Sequence, residues 1–287
     1  MYAADFNYYR ARSVTEAGDL LAKYPGAKVL AGGHSLIPLL KLRLAVPPTV
    51  VDIGRISELR GISIDAETIH IGSLTTHAEL AASAELRQHA TALAEAAGQI
   101  GDPAVRNRGT IGGNVAHADP ASDLPTVLSA LGGRFNLSGP QGDRTVDAAA
   151  FFHGIMTTAL GEHELLTTID IPVSPPGQGT AYAKFPHPAS RYAVIGVGAA
   201  VTVVDGICSA ASVVLGGLVP TPVIASSVTE SLVGQTLSAE TIAVAAQSVG
   251  TDVGDDCLGD IFASAEYRKA VAPIYVKQAI RSAAERI

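Results

Sequence analysis

The segment AKVLAGGHSLIP, residues Ala27–Pro38, places two adjacent glycines between two different apolar patterns. The run before the glycines, Ala27–Ala31, is short and apolar, as is typical of a buried strand. The run after them, Leu36–Leu40, has Pro38 near its first turn, where helices tolerate proline. The segment therefore predicts a strand, a tight glycine loop and a helix in immediate succession.

The flanking residues extend this unit into a mixed arrangement of helices and strands. Ser13–Glu16 has the pattern of a capping box and predicts a helix that continues to about Lys23. Val50–Ile53 predicts another short strand, and Ile62–Ile71 predicts a hairpin. A second capping box at Thr76–Glu79 and an alanine-rich stretch over residues 85–100 predict helices.

A second glycine-rich segment, GTIGGN at Gly109–Asn114, lies inside a long stretch without periodicity. This stretch, Gly101–Leu124, is rich in Gly, Pro, Asn and Asp, and we predict a loop over its whole length. A loop of that length inside a compact domain is usually functional. The segment is therefore a second candidate for a binding site.

Paired glycines suit a phosphate group, because they let it approach the backbone and because successive N–H groups form an anion-binding concavity. In the first loop, the N-terminus of the following helix adds a partial positive charge. Two such loops predict a ligand with two phosphates, and the alternative is that each glycine pair only makes a tight turn. Neither loop has the G-x-G-x-x-G spacing of a Rossmann fold or the Gly-Lys-Ser/Thr ending of a P-loop. A Rossmann-type NAD site and a phosphoryl-transfer site are therefore disfavoured.

The composition of the 287 residues narrows the class of protein. Hydrophobic residues make up 47% and charged residues 16%, which excludes a mainly disordered chain. The net charge of −7 argues against nucleic acid as a partner, and the two cysteines are too few to ligate an iron–sulfur cluster. The histidines show no H-E-x-x-H or H-x-x-x-H spacing, so we expect no metal site. The longest apolar run, Ala193–Val204, is too short for a membrane span.

The C-terminal part begins after the cluster SPPG at Ser174–Gly177, the strongest domain boundary in the sequence. Three strand-like runs follow at 181–185, 193–204 and 208–218, and Asp205-Gly206 predicts a hairpin turn between the last two. Helical patterns come next. We expect an α+β fold with an N-terminal domain over residues 1–176, divided into subdomains of about 1–56 and 57–176. The C-terminal domain, residues 177–287, is expected to be a three-stranded antiparallel sheet with helices.

Together, the two glycine segments and the motif DPASDLP at Asp119–Pro125 resemble the FAD-binding medium subunit of molybdenum hydroxylases. The resemblance covers nearly the whole chain, including the Leu165–Pro172 strand and the region from Lys184 to Tyr192. The medium subunit of aerobic carbon monoxide dehydrogenase is more similar than the flavin domain of xanthine dehydrogenase. The resemblance implies a FAD-binding fold of the vanillyl-alcohol-oxidase (PCMH) type, in which two N-terminal α+β subdomains hold FAD and a smaller domain closes over it.

The resemblance also implies roles for individual residues at FAD. The first loop would wrap the pyrophosphate, and the second would hold the other side of the diphosphate and the ribityl chain. Asp123 would accept a hydrogen bond from a ribose hydroxyl of the adenosine, Lys184 would place positive charge near the isoalloxazine ring, and Tyr192 would cover one ring face. Ile100 and Leu166 would be apolar walls, and no catalytic side chain is expected. The full set of expected cofactor-binding residues is Ala31, Gly32, Gly33, His34, Ser35, Leu36, Ile100, Thr110, Ile111, Gly112, Gly113, Asn114, Asp123, Leu166, Lys184 and Tyr192.

Several of these side chains also have an ordinary structural explanation. His34 can hydrogen-bond a loop carbonyl, and Asp123 can cap the helix that follows it. Lys184 can be an exposed strand lysine, and Tyr192 can pack between layers. The residues alone leave these alternatives open.

By the same resemblance, the chain is an electron-transfer subunit of a heteromeric molybdenum hydroxylase. A large subunit would hold the molybdenum cofactor, a small subunit would hold two [2Fe–2S] clusters, and FAD on this chain would pass electrons to an external acceptor. We expect a dimer of such heterotrimers in the cytoplasm, with attachment at the inner face of the membrane as an alternative location. Two other functions stay open: a self-sufficient FAD-dependent oxidase of the same fold, and a non-enzymatic binding or scaffold protein.

Overall fold

The structure, a computed structural model, describes residues 2–287 and is a mixed α+β fold with three hydrophobic cores. The first core belongs to a three-stranded parallel sheet with the strand order β1-β3-β2. The elements of this unit are β1 (Asn7–Arg10), α1 (Val14–Lys23), β2 (Lys28–Leu30), α2 (Leu36–Lys41) and β3 (Thr49–Asp52). The strand, loop and helix predicted for Ala27–Pro38 are present, and β1 is a strand that the sequence pattern does not show.

The second core lies under a five-stranded antiparallel sheet with the strand order β4-β5-β10-β6-β7. Its sequence alternates where one face is buried: in β5, Ile69 and Ile71 point into the core and His70 points outward. The strands of this part are β4 (Ile62–Ile64), β5 (Thr68–Gly72), β6 (Arg134–Gly139), β7 (Gly142–Asp147), β8 (Phe152–Gly154), β9 (Thr157–Thr158) and β10 (Leu165–Pro172). Its helices are α3 (His77–Ala82), α4 (Ala84–His89), α5 (Thr91–Gln99), α6 (Pro103–Arg106), α7 (Ile111–His117) and α8 (Asp123–Ala130).

The prediction of a continuous loop over Gly101–Leu124 is wrong, because this stretch contains α6, α7 and the first two residues of α8. Asp102 caps α6, and the Thr110 hydroxyl caps α7 by accepting from the Gly113 N–H. Two of the seven residues of α7 are glycines, which have weak helix propensity, so the sequence pattern gives no helical signal. The helix predicted over 85–100 is instead two helices, separated at Ala90.

The third core lies in the C-terminal part, against a four-stranded antiparallel sheet with the order β11-β12-β13-β14. The three predicted strands are present, and the sheet gains a fourth strand of two residues at its edge. Asp205 and Gly206 both have positive φ, as the predicted hairpin turn requires. The elements are β11 (Gln178–Pro186), β12 (Ala193–Val204), β13 (Ile207–Gly216), β14 (Val223–Ile224), α9 (Ser226–Leu232), α10 (Ala239–Gln247), α11 (Val249–Val253) and α12 (Ala265–Ala284).

Glycines on the C-terminal sheet make room for α8 of the middle part. A Cβ atom at Gly198 on β12 would lie 2.9 Å from Ala130 Cβ, and one at Gly216 on β13 would overlap Thr126 Oγ1. The opposite face of β12 is apolar and packs against α12. The sheet is therefore covered on both faces, and α8 is seated directly on its backbone.

The longest helix in the described chain, α12, carries several charged residues. Neither it nor any other helix of residues 2–287 has the length and apolar character needed to cross a membrane. The division into domains at residues 176 and 177 stays a prediction. The connection between β10 and β11 contains the SPPG cluster, but Tyr182 of β11 belongs to the second core.

Gly198 and Gly216 form the glycine seat of α8, and its role can be tested by adding a methyl group at one of them. Gly216→Ala should lower the melting temperature, because overfilling a tightly packed contact destabilises by about 1–3 kcal/mol. Thr126→Ala in the same chain should restore part of the loss, since it removes the overlapping hydroxyl. The matched control is Gly18→Ala on α1, where no atom lies within 4 Å of the new Cβ and helix propensity improves. Equal melting temperatures for Gly216→Ala and Gly18→Ala would refute this explanation.

His70 connects two carboxylates on the outer face of the middle sheet. Its Nδ1 lies 2.7 Å from Asp170 Oδ1, and its Nε2 lies 3.1 Å from Asp65 Oδ2. The hydrogen bonds to Asp65 and then Asp170 raise the pKa of His70. The pKa of Asp65 is lowered to about 2, first by the Glu67 N–H and then by His70. The folded protein therefore binds the His70 proton more tightly than the unfolded chain does.

This bridge predicts a pH-dependent contribution to stability. Because the pKa of His70 is raised in the folded state, the contribution is complete below the unfolded value of about 6.5 and is lost as pH rises through the folded value. The difference in melting temperature between the wild type and His70→Gln should be larger at about pH 6 than at about pH 8.5. A difference that does not change with pH would show that the bridge contributes nothing through this proton.

Candidate functional site

A cavity of about 800 Å³ lies between the first parallel sheet, the middle part and the segment that joins β11 to β12. It brings together residues that are distant in sequence, including both glycine segments. The expected residues that line it are Ala31, Gly32, Gly33, His34, Ser35, Leu36, Ile100, Thr110, Gly112, Gly113, Asn114, Asp123, Leu166 and Tyr192. Two expected residues are not part of its lining: Ile111 is buried in the second core, and Lys184 lies behind Asp123.

The first loop presents a run of free backbone donors. Within residues 2–287, the N–H groups of Gly32–Leu36 donate to no backbone carbonyl, and no side chain caps α2. Gly33 has a φ of +79°, a left-handed conformation that favours glycine and occurs in anion-binding turns. His34 Nδ1 lies 3.3 Å from the Gly32 carbonyl oxygen, so the loop-carbonyl contact considered for His34 is present. The geometry of this loop suits an anionic group.

The two glycine segments pack directly against each other. A Cβ atom at Gly32 would lie 2.9 Å from Gly109 Cα and would overlap the Arg108 carbonyl oxygen. A larger residue at position 32 would therefore push the loops apart and widen the cavity at the free donors.

The second segment differs, because most of its N–H groups are used inside the protein. The Ile111 N–H donates to the Thr75 carbonyl, the Gly112 N–H to the Ser73 carbonyl and the Gly113 N–H to the Thr110 hydroxyl. A Cβ at Gly112 would overlap Ser73, so this glycine permits a close approach of two backbones. These N–H groups are therefore not free for an anion as the glycine pair alone suggests, and the role of this segment at the cofactor stays a prediction. Its residues other than Ile111 line the cavity.

Three cavity-lining residues have a buried polar atom with no hydrogen-bond partner among residues 2–287: Ser73 Oγ, His77 Nδ1 and Asn114 Oδ1. Ser73 and His77 are not among the residues expected from the sequence. The sequence feature that could have identified His77 is its place in the Thr76–Glu79 capping box. The backbone N–H of His77 donates to the Gly109 carbonyl. Burial, followed by the charges of His34 and Arg106, lowers the pKa of His77 to about 4. His77 is therefore a neutral imidazole near pH 7.

Asp123 is the first residue of α8 and is held by two side chains of β11. Its Oδ2 accepts from Lys184 Nζ at 2.8 Å, and its Oδ1 accepts from the Tyr182 hydroxyl at 2.5 Å. Burial raises the pKa of Asp123, while Lys184 and Tyr182 act in the opposite direction. Ser122 occupies the N-cap position, so Asp123 is not the cap of this helix. Lys184 is buried in this ion pair and is not an exposed strand lysine.

The open side of the cavity is lined by Ser190, Arg191 and Tyr192, in the segment between β11 and β12. The His187 N–H donates to the Tyr192 carbonyl and the Arg191 N–H to the His187 carbonyl, which closes this segment into a compact loop. Partial burial, followed by the charges of Asp119 and Asp123, raises the pKa of Tyr192. Tyr192 is 43% exposed, so its ring is available at the mouth of the cavity.

These features fit a flavin dinucleotide. The free N–H groups of Gly32–Leu36 match an anionic diphosphate. The apolar side chains of Ile100 and Leu166 line the same cavity and suit flat rings.

Residues 4–174 match the family described as FAD binding domain in molybdopterin dehydrogenase, which accounts for more than half of the chain. The chain belongs to this family. Residues 180–283 also match the CO dehydrogenase flavoprotein C-terminal domain. The chain is thus a FAD-binding medium subunit of the carbon monoxide dehydrogenase and xanthine dehydrogenase type, and part of an oxidoreductase.

Relatives of this medium subunit match it over its full length. The carbon monoxide dehydrogenase medium chain of Afipia carboxidovorans is 37% identical over 100% of this chain and 99% of its own. The glyceraldehyde dehydrogenase medium chain of Sulfolobus acidocaldarius is 34% identical over 99% of this chain and 100% of its own.

Solved structures show the same fold. Carbon monoxide dehydrogenase from Hydrogenophaga pseudoflava, in a form that lacks the Mo-pyranopterin moiety of its cofactor, has a matching chain with a TM-score of 0.94, 38% identity and coverage of 99% and 98% of the two chains. Quinoline 2-oxidoreductase from Pseudomonas putida 86 has one with a TM-score of 0.92 and 30% identity, covering 99% of each chain. The expected fold class and the FAD cofactor are therefore confirmed.

The contact between the two loops predicts the effect of a single methyl group at position 32. Gly32→Ala should reduce bound FAD in the purified medium subunit, with affinity lower by about tenfold or more, because the loops must separate at the free donors. FAD per chain is measured from flavin absorbance against protein concentration. Gly98→Ala is the matched control, because its Cβ would meet only Ala81 Cβ, at 3.7 Å. Full flavin content in Gly32→Ala would contradict the assignment of this loop.

Proposed function

We propose that this medium subunit takes electrons from [2Fe–2S] clusters of a partner subunit and delivers them, by way of FAD, to an external acceptor. The observation that carries the proposal is the run of free N–H groups at Gly32–Leu36, in a loop that lines a cavity of about 800 Å³. The chain has only Cys208 and Cys257, so it has too few thiolates for a cluster of its own. Both observations support a division of cofactors between subunits.

The residues of this chain bind and orient the cofactor. FAD, when bound, supplies the redox chemistry, since a flavin can take up electrons singly and release them in pairs. The N–H groups of Gly32–Leu36 hold the diphosphate, and Ile100 and Leu166 exclude water from the flat rings. Asp123 accepts a hydrogen bond from a hydroxyl of the cofactor, and Tyr192 covers the ring at the open side.

Lys184 has a different role from a cation in direct contact with the ring. Because it is paired with Asp123 and is not part of the cavity lining, its charge acts on the cofactor through that pair. We assign no catalytic residue to this chain.

The proposed partners are a large subunit with the molybdenum cofactor and a small iron–sulfur subunit, assembled as a dimer of heterotrimers. The names of the similar proteins include carbon monoxide, glyceraldehyde and quinoline enzymes, while the fold of the chain stays the same. This supports a subunit whose role does not depend on the reducing substrate. A cytoplasmic location stays a prediction, and so does attachment to the inner face of the membrane.

We also propose that residues 1–176 form the FAD-binding domain, with subdomains of about 1–56 and 57–176, and that residues 177–287 form the C-terminal domain. The separate core of the C-terminal sheet supports this division. The self-sufficient oxidase is disfavoured, because the relatives that match this chain along its length are themselves named as subunits of larger enzymes. A non-enzymatic scaffold is disfavoured by membership in a family of dehydrogenase subunits.

The proposal can be tested on the complex as it is purified from cells. FAD is removed, the remaining cofactors are reduced with a limiting amount of dithionite under anaerobic conditions, and an artificial quinone is added as the external acceptor. We expect the iron–sulfur absorbance to stay bleached without FAD and to recover at the rate of quinone reduction after FAD is restored.

Two results would contradict the proposal. One is quinone reduction at the same rate with and without FAD. The other is a purified chain that carries FAD and is reduced directly by a small substrate in the absence of any other subunit, which would favour the self-sufficient oxidase.

A further inference from the structure

Tyr182 and Lys184 reach Asp123 from the same face of β11, because alternate residues of a strand point in the same direction. The Tyr182 hydroxyl bonds one carboxylate oxygen at 2.5 Å, and Lys184 Nζ bonds the other at 2.8 Å. Each oxygen of Asp123 therefore has its own donor, which fixes the rotation of the carboxylate. The two donors come from the C-terminal sheet, and the acceptor comes from α8 of the middle part.

The backbone around Tyr182 is shaped to hold its phenol in this position. Gly196 on the neighbouring strand β12 leaves the necessary space, since a Cβ there would overlap the Tyr182 hydroxyl. On the other side, the Tyr182 N–H donates to Glu95 Oε2 of α5 at 3.0 Å. The residue is only 6% exposed. The phenol therefore has a fixed place, and Asp123 is its hydrogen-bond partner in the described chain.

From this geometry we propose that Tyr182 is a positioning residue of the FAD site, which holds the Asp123 carboxylate in the orientation that the cofactor needs. The inference rests on the proposed role of Asp123 at FAD. Burial, and then the charge of Asp123, raise the pKa of Tyr182 well above its ordinary value, so the phenol stays protonated and donates. The Tyr182 bond in turn lowers the pKa of Asp123 against the effect of burial.

The other groups around Asp123 leave Tyr182 and Lys184 as the two that act on it directly. From α5, the Gln99 carbonyl accepts from Lys184, and the Glu95 carboxylate is ion-paired with Arg286. The strands β12 and β13 present glycines to α8 and its surroundings. Tyr192 also lies near Asp123, because burial and then the charges of Asp119 and Asp123 raise the pKa of Tyr192.

The test compares Tyr182→Phe with the wild type in the complex as purified. This change keeps the ring and removes only the hydroxyl. We expect the dissociation constant of FAD, measured from the fluorescence of released flavin, to rise about tenfold, as is typical for loss of a hydrogen bond to a charged group. Tyr275→Phe is the matched control, because Tyr275 stacks on Phe185 in the same domain and makes no contact with Asp123. It should bind FAD as the wild type does.

A double-mutant cycle separates positioning from side-chain packing. In the Asp123→Asn background, Tyr182→Phe should change FAD affinity by less than about twofold, because the carboxylate that it positions is absent. In the Tyr182→Phe protein, FAD affinity should fall on acidification at a higher pH than in the wild type, since Asp123 is then protonated more readily. Gly196→Ala, which displaces the phenol from the other side, should weaken FAD binding in the same direction.

The outcomes distinguish this inference from the proposed function. If Asp123→Asn leaves FAD affinity unchanged, the role of Asp123 at FAD is wrong and the inference falls with it. If Asp123→Asn weakens FAD binding but Tyr182→Phe matches the wild type, only the inference is overturned. An equal effect of Tyr182→Phe in both backgrounds, with no change in the pH profile, would show a purely structural residue. If Tyr182→Phe fails to fold, the pH profile of Gly196→Ala decides, and an unchanged profile overturns the inference.

Discussion

The buried carboxylate of Asp123 is the constraint on which the rest of the site depends. A carboxylate with only 3% exposure is costly unless it is paired, and the loss of one partner of such a pair costs about 3–5 kcal/mol. Here the partners, Lys184 and Tyr182, belong to the C-terminal sheet, whereas Asp123 begins a helix of the middle part. The ion pair is therefore satisfied only when the two parts are docked, and the glycine seat of α8 allows that docking. The same docking completes one wall of the cavity.

The two glycine segments have similar sequences, but they differ in how their backbone N–H groups are hydrogen-bonded. In the first, the glycines leave five successive N–H groups of Gly32–Leu36 without a backbone acceptor. In the second, the glycines allow α7 to approach Ser73 and allow the first loop to touch Gly109, and most N–H groups are consumed. This difference supports our proposal that the first segment binds the diphosphate. The first segment packs against the second at Gly32, where a Cβ atom would meet the backbone of Arg108 and Gly109.

The sequence was sufficient to predict the strand, loop and helix at Ala27–Pro38 and the C-terminal hairpin, and all but two of the 16 expected cofactor-binding residues line the cavity. These depend on local signals: glycine pairs, capping boxes and short apolar runs. It was insufficient wherever a tertiary contact decides. Lys184 is paired with Asp123 because its side chain lies on the face of β11 that is turned toward α8. His77 lies at the cavity because its backbone N–H donates to the Gly109 carbonyl. The two glycines of α7 have weak helix propensity, so its sequence does not predict a helix. The helix forms nevertheless, because its N-cap stabilises it.

Membership in the medium-subunit family identifies FAD as the cofactor. The free N–H groups of Gly32–Leu36 indicate where its diphosphate would bind. The most direct test is an experimental structure of the protein with FAD bound. We predict diphosphate oxygens within hydrogen-bond distance of the backbone nitrogens of Gly32–Leu36, with Asp123 still bonded to both Lys184 and Tyr182. A bound FAD whose diphosphate contacts the N–H groups of Gly112 and Gly113 instead, with those of Gly32–Leu36 facing only water, would contradict it.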